Sequence, residues 1–352
     1  MSPDSDTSAE EDRHQLLWNI NCVYGIFVDT LLLLSMLRII VPILSHHALR
    51  SRKEWLILTG LCIADAMSGL ATVQYSSVYF GHRVSYNKTT FNLTKWDCVV
   101  YPHNFLWGVA VAPRGWLMFL VSIDRLILVC WPVFYMTKQC FTRSQMNIKM
   151  YRALLCVVFG HTLLFTIESY IAVYRDRSLT TKINVCNLLA AVRRGFFSYS
   201  AFTIYLGAVL SVVVQVCTLL VMKRKDGKVQ PSGGVSVGSI SAAQRDFTRR
   251  VNMSVLMTFV FVVVPFMLSV WVSFVWNHQS MMREAIFMML QMAPSINSML
   301  NAVIFIRANQ ILRSAWRATL KCQKLPEDIE MWNTNEAAPL NGNDVEMDET
   351  KY

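Results

Sequence analysis

Asp65 and Arg114 are the residues of this chain best placed to do chemistry, because each stands inside a long apolar run. A charge at the centre of a bilayer costs about 2.5–3.5 kcal/mol on insertion scales, so an intramembrane ion needs a partner or a task. Arg114 precedes Arg125 by eleven residues, about three turns, and so shares its helix face at a deeper level. We expect its guanidinium to pair with Asp65, with Asn297, Ser298 and Asn301 completing a buried polar network. The competing readings are a wet cavity around Arg114, or Glu168 as its partner. Asp124-Arg125 forms a second charged site where an apolar run meets the next loop, and Pro132 and Tyr135 follow it.

Other chemistries find little support. The seven histidines show no metal-ligand spacing beyond adjacent His46-His47, which a helix cannot easily aim at one ion. No Ser/His/Asp arrangement, phosphate loop or CxxC occurs, so neither an enzyme nor a bound metal or cofactor is expected. His161 and Glu168, seven residues apart, could share a face and read as satisfied core polar groups.

The elements that must position these groups are apolar. The chain is 54% hydrophobic and 16% charged, against about 25% charged in a typical soluble domain. Seven windows suffice for the ~20 apolar residues that cross a bilayer: 20–44, 55–79, 102–130, 151–173, 196–222, 251–276 and 285–306. Backbone groups in lipid must be satisfied internally, which predicts an all-α, seven-transmembrane helix bundle. Pro42, Pro113, Pro265 and Pro294 fall inside the spans as kinks. Residues 231–239 read as a flexible linker.

Charge sets the orientation. The segments 45–54, 131–152, 223–250 and 307–352 carry 20 of the 33 lysines and arginines, which places them in the cytoplasm and the N-terminus outside. The first seventeen residues are acidic and polar, unlike a signal peptide, so the first span would act as a signal anchor in the plasma membrane. Net charge is +10, but the basic residues sit beside hydrophobic spans, so lipid and cytoplasmic partners are expected rather than nucleic acid. Asn87 and Asn92 head glycosylation sequons in an outer loop. Cys98 and Cys186 fall in outer segments, where an oxidising exterior would pair them; two free thiols are the alternative. The domains read as an extracellular N-terminus over 1–19, the bundle over 20–306, an amphipathic helix over 307–322, and an acidic, disordered tail over 323–352. Cys322 is a palmitoylation candidate.

Several of these residues stand in a known order. Leu49-Arg50 with Ala64-Asp65, Cys98 with Cys186, Asp124-Arg125-Leu126 with Pro132 and Tyr135, Pro265, and the run from Asn297 to Phe305 with Leu312-Arg313 and Trp316 are arranged as in rhodopsin-like (class A) G-protein-coupled receptors. The chain resembles that family over nearly its whole length. Its texture is similar to nematode serpentine chemoreceptors of the Srsx type and to some invertebrate peptide receptors.

The resemblance implies a function. An extracellular ligand, chemosensory or peptidic, would bind in the outer half of the bundle and activate a heterotrimeric G protein. Asp124 would hold Arg125 at rest and release it on activation, with the sixth span moving about Pro265. It adds the Cys98–Cys186 bridge, and it places Arg114 where the family holds a sodium-binding residue, so the guanidinium would replace that ion. Trp107, Phe266, Val270, Trp271 and Gln291 would line the ligand site, with helix packing or lipid contact as the alternative for each. The departures are Ala302 and Phe305 for the usual proline and tyrosine, and Val263 for the usual tryptophan. They leave open a diverged receptor that no longer signals. A multi-span transporter is the remaining rival, though the seven spans show no inverted repeat. Ligand identity and oligomeric state are not encoded legibly.

Overall fold

The computed structural model describes residues 4–50, 53–86, 94–130, 143–175, 194–226, 281–308 and 310–323, with Arg177 and a few positions between 257 and 268. Among these residues no strand occurs. The long helices are α1 (Asp4–Ser45), α3 (Lys53–Tyr86), α5 (Pro102–Cys130), α6 (Arg143–Arg175), α7 (Arg194–Asp226) and α8 (Met281–Ala308). Short helices are α2 (His47–Arg50), α4 (Lys95–Val99) and α9 (Gln310–Leu320).

Five stretches among the described residues are long and apolar enough to cross a membrane: Asn19–Ser45, Trp55–Gly81, Pro102–Asp124, Ile148–Arg175 and Tyr205–Arg224. They coincide with the first five expected spans. Helix α8 covers the seventh, over 28 residues. Most of the sixth expected span lies outside the described residues, but Phe259–Val263 is π-helical. The reason follows from Pro265, which lacks an N–H and whose ring presses on the carbonyl four residues back, so a wider turn relieves both.

Helix α1 begins at Asp4, so residues 4–19 are helical in continuity with the first span. Nothing between Asp4 and Gly25 breaks a helix, and the acidic residues near its start suit the positive end of the dipole.

Burial is inverted relative to a water-soluble bundle. Phe27, Leu34, Val157, Leu164, Phe202 and Leu220 are exposed, while Asp29, Asp65, Arg114 and Asn297 are buried. Hydrocarbon is a good solvent for the first set and a poor one for the second. The main apolar core joins α1, α3, α8 and α9 through Leu32, Ile39, Ile43, Trp55 and Leu312. A second cluster lies at the α4 end, around Cys98, Val99 and Val173.

Small residues set how closely the helices approach. A Cβ on Gly69 of α3 would lie 3.4 Å from the backbone oxygen of Asp29 on α1. A Cβ on Gly207 of α7 would meet the backbone of Gly115 on α5, 2.7 Å from its Cα and closer still to its carbonyl. Close backbone approach of this kind is how membrane helices gain packing energy without a hydrophobic driving force.

Helix α9 docks on α1. Its Leu312, Ala315 and Ala318 are buried in the main core, and the Arg38 guanidinium lies over the Trp316 ring at 5.6 Å. His46 Nε2 is 3.3 Å from the Ala315 carbonyl and 3.1 Å from Thr319 Oγ1. The helix ends in a Schellman arrangement, with Gln323 N–H donating to Ala318 O and Cys322 N–H to Thr319 O. Cys322 supplies the left-handed residue, φ 51°, a position more often filled by glycine.

Candidate functional site: a buried ionic core and a tethered acid

The polar core is assembled by four helices. Arg114 Nε on α5 lies 2.5 Å from Asp65 Oδ1 on α3. The two side chains are 11% and 7% exposed, so this is a desolvated pair, and removing either member would strand the other. The contact is made by distance rather than along the N–H axis, and Arg114 Nη2 has no hydrogen-bond partner among the described residues. On α8, Asn301 Nδ2 donates to Asn297 Oδ1 at 3.3 Å, and both Asn297 and Ser298 are buried.

A third ionisable side chain belongs to this core. Asp29 on α1 is 3% exposed, hydrogen-bonded to Ser295 of α8 and within electrostatic reach of Arg114. Its only signal in the sequence is being the sole acidic residue of the first apolar window, which a tally of basic residues overlooks.

The second charged site lies toward the far end of α5. Asp124 is 3% exposed, and Tyr151 Oη of α6 donates to its Oδ1 at 2.8 Å. The Arg125 side chain, Pro132 and Tyr135 lie outside the described residues. Tyr151 comes 27 residues after Asp124, beyond any local spacing rule. Two residues before the acid, Ser122 Oγ lies 2.6 Å from Ser211 Oγ and accepts from Gln215 Nε2 at 2.9 Å. Ser122 also donates to Met118 O, so its one proton and two lone pairs are all used when Ser211 is the donor. This serine–glutamine clasp fixes α7 against α5 beside Asp124.

The opposite end carries a built cap. Thr94 and Asp97 form a reciprocal capping box at the start of α4. The side-chain and backbone hydrogen bonds from Thr94 hold the Asp97 carboxyl below the usual carboxylate range. Cys98 follows, fully buried and disulfide-bonded, with its carbonyl accepting from Asn104 Nδ2 at 2.7 Å. Cys186, its expected partner, lies outside the described residues, as do Asn87 and Asn92. Beside this cap an apolar cleft of about 420 Å³ is lined by Trp96, Phe105, Ile167, Tyr170, Ile171 and Tyr174.

Of the residues expected to line a ligand site, only Trp107 has a described side chain. Trp107 packs against the Cys98–Val99–Val173 cluster, a helix-packing role. Phe266, Val270, Trp271 and the side chain of Gln291 lie outside the described residues. His161 and Glu168 are both exposed rather than core groups; α6 turns that face outward, and His161 Nδ1 meets only Tyr199 Oη, at 3.1 Å. Phe305 sits edge-on to Trp55 at 5.8 Å, so the ring that stands for the usual tyrosine is locked into the main core. Cys322 is exposed with a free thiol.

Comparison with known proteins agrees with this architecture. No curated protein matches the chain. The family model described as serpentine type 7TM GPCR chemoreceptor Srsx matches residues 30–320. The chain belongs to that family, and it is a multi-pass membrane receptor of the chemosensory, seven-helix type.

Proposed function

We propose that this serpentine chemoreceptor holds its amino end outside the cell, binds an extracellular ligand in the half of the bundle nearer α4, and activates a heterotrimeric G protein through Asp124 and Arg125. The observation that carries this reading is the Tyr151–Asp124 hydrogen bond of 2.8 Å. It buries the acid and aims it at α6, one residue before the arginine that would engage the G protein. A buried carboxylate held by a well-placed donor is a two-state element: held, it restrains its neighbour; released, it frees it. The Ser122–Ser211–Gln215 clasp keeps α5 and α7 in register while that exchange occurs.

The lysine and arginine distribution supports the orientation, and an oxidising exterior suits the Cys98–Cys186 bridge and glycans at Asn87 and Asn92. Ligand chemistry is read from the α4 end, where the cleft between α4, α5 and α6 offers only aromatic and aliphatic side chains. That lining favours an apolar or weakly polar small molecule, and Trp107 occupies the level at which a cationic amine would need an acid.

The test is a ligand screen read by nucleotide exchange on co-expressed G proteins, with surface expression measured in parallel. A ligand that drives exchange in the native receptor and not in Arg125→Ala supports the reading. Equal exchange by Arg125→Ala at matched surface levels would overturn it.

A further inference from the structure

The buried core of this receptor holds two carboxylates against one guanidinium. Asp65 is in contact with Arg114, and Asp29 lies within electrostatic reach of the same arginine while hydrogen-bonded to Ser295. With both acids ionised the cluster carries one uncompensated negative charge among helices α1, α3, α5 and α8. No further cation faces it among the described residues. On α3 the nearest other titratable group is Cys62, below Asp65, and about three turns the other way stands Tyr75, beside Cys22. On α8 the facing groups are Ser295, Asn297 and Ser298, all neutral. An unbalanced charge at this depth is the costliest state available to the cluster.

The backbone shows that Asp29 is deliberately placed. Gly69 removes the side chain that would hold α1 away: a Cβ there would lie 3.3 Å from Leu32 Cδ2 and 3.4 Å from the Asp29 carbonyl oxygen. One turn earlier, Gly25 opens the same seam to Ser76. Within that seam Asp29 is 3% exposed, and its Oδ1 finds no hydrogen-bond partner among the described residues.

We propose that Asp29 is the proton-carrying member of a three-ion centre: it is held as the neutral acid, which balances Asp65 and Arg114, and it latches α1 to α8 through Ser295. The proton forms an O–H bond on the otherwise unpartnered oxygen, and the Ser295 contact stays on the other. Held neutral, Asp29 leaves the Arg114 charge to Asp65 and touches no ligand, so it is a positioning residue. The inference does not depend on G-protein coupling, because its test uses the ligand-free receptor.

The full-length receptor, purified into lipid nanodiscs at neutral pH, is measured by infrared spectroscopy for the C=O stretch of a protonated carboxylic acid that shifts slowly in D2O. The expected result is a band of one carboxyl equivalent in the native protein, lost in Asp29→Asn. A native spectrum without the band, or a band that survives in Asp29→Asn, overturns the proposal. If Asp29→Asn does not fold, Ser295→Ala replaces it: the band must move when its hydrogen bond is removed, and an unmoved band overturns the assignment. Sodium is exchanged for N-methylglucamine in parallel. A band that appears only without sodium would mean that a metal cation, not a proton, balances the charge, and would equally overturn it.

Discussion

Gly207 of α7 and Gly115 of α5 meet backbone to backbone: a methyl group on Gly207 would lie 2.7 Å from the Gly115 Cα and closer to its carbonyl. Rigid main chain on both sides leaves nothing to move aside except the helices. Gly115 also follows Arg114 directly, so the crossing holds the guanidinium at its depth. Gly207→Ala should therefore cost at least the ~1–3 kcal/mol of an overpacked core and lower the thermal midpoint sharply in detergent. Gly60→Ala is the control. Its new Cβ would meet the Cδ2 of Leu155 at 2.7 Å, the free end of a flexible side chain that can rotate away. A midpoint equal for both variants would count against the crossing.

Arg114 and Asp65 should fail together. Removing one member of a buried pair costs about 3–5 kcal/mol, because the survivor keeps its desolvation penalty without its partner. Arg114→Ala and Asp65→Ala should each show greatly reduced surface expression, while the exchanged pair Arg114→Asp with Asp65→Arg recovers part of it. Thermal stability of the native receptor should not respond to sodium, since the guanidinium occupies the space beside Asp65. Normal expression of either single variant would contradict the pairing.

The sequence made the outline legible because lipid imposes it. Long apolar runs in a bilayer have one practical solution, and five of the expected spans reappear as apolar helices among the described residues. The Asp65–Arg114 contact was legible for the same reason: two opposite charges in hydrocarbon must find each other. Tyr151, Ser211 and Ser295 were not, since each is an ordinary polar residue that gains its role only from which helix faces which. His161 and Glu168 misled because spacing shows that two residues share a face, but not whether that face looks inward.

Tyr151→Phe should raise ligand-independent signalling. A hydrogen bond to a charged acceptor is worth about 1.5–3 kcal/mol, enough to shift a two-state balance roughly tenfold or more toward the released state. Phenylalanine keeps the ring and removes only the donor to Asp124. Basal nucleotide exchange at matched surface expression is the measurement. No change from native would mean that the tyrosine merely packs.

Helix α9 is held by two polar contacts besides its buried leucine and alanines. The cation–π contact of Arg38 with Trp316 contributes about 0.5–1 kcal/mol, and the His46 contacts with Ala315 O and Thr319 Oγ1 a similar amount. Arg38→Ala or His46→Ala alone should loosen the helix slightly. Together they should raise hydrogen exchange over residues 310–320 several-fold while exchange in α3 stays unchanged. Unaltered protection in the double variant would assign the docking to Leu312 and its apolar neighbours alone.

The α4 cap should respond to acid, and its sign is fixed by Asp97. Hydrogen bonds from the Thr94 side chain and backbone hold the folded carboxyl below the usual range, so the group stabilises the cap only where it is ionised. The contribution is fully present above the ordinary carboxylate value of about 3.9 and is lost as pH falls through the depressed folded value. Asp97 is solvent-exposed, so screening keeps the effect small and local. Backbone amide protection at Asp97 and Cys98 should stay flat through neutral and mildly acidic pH and fall only in strong acid. In Asp97→Ala it should be lower throughout and lack that acid step. A step surviving in Asp97→Ala would place the titrating group elsewhere in the cap.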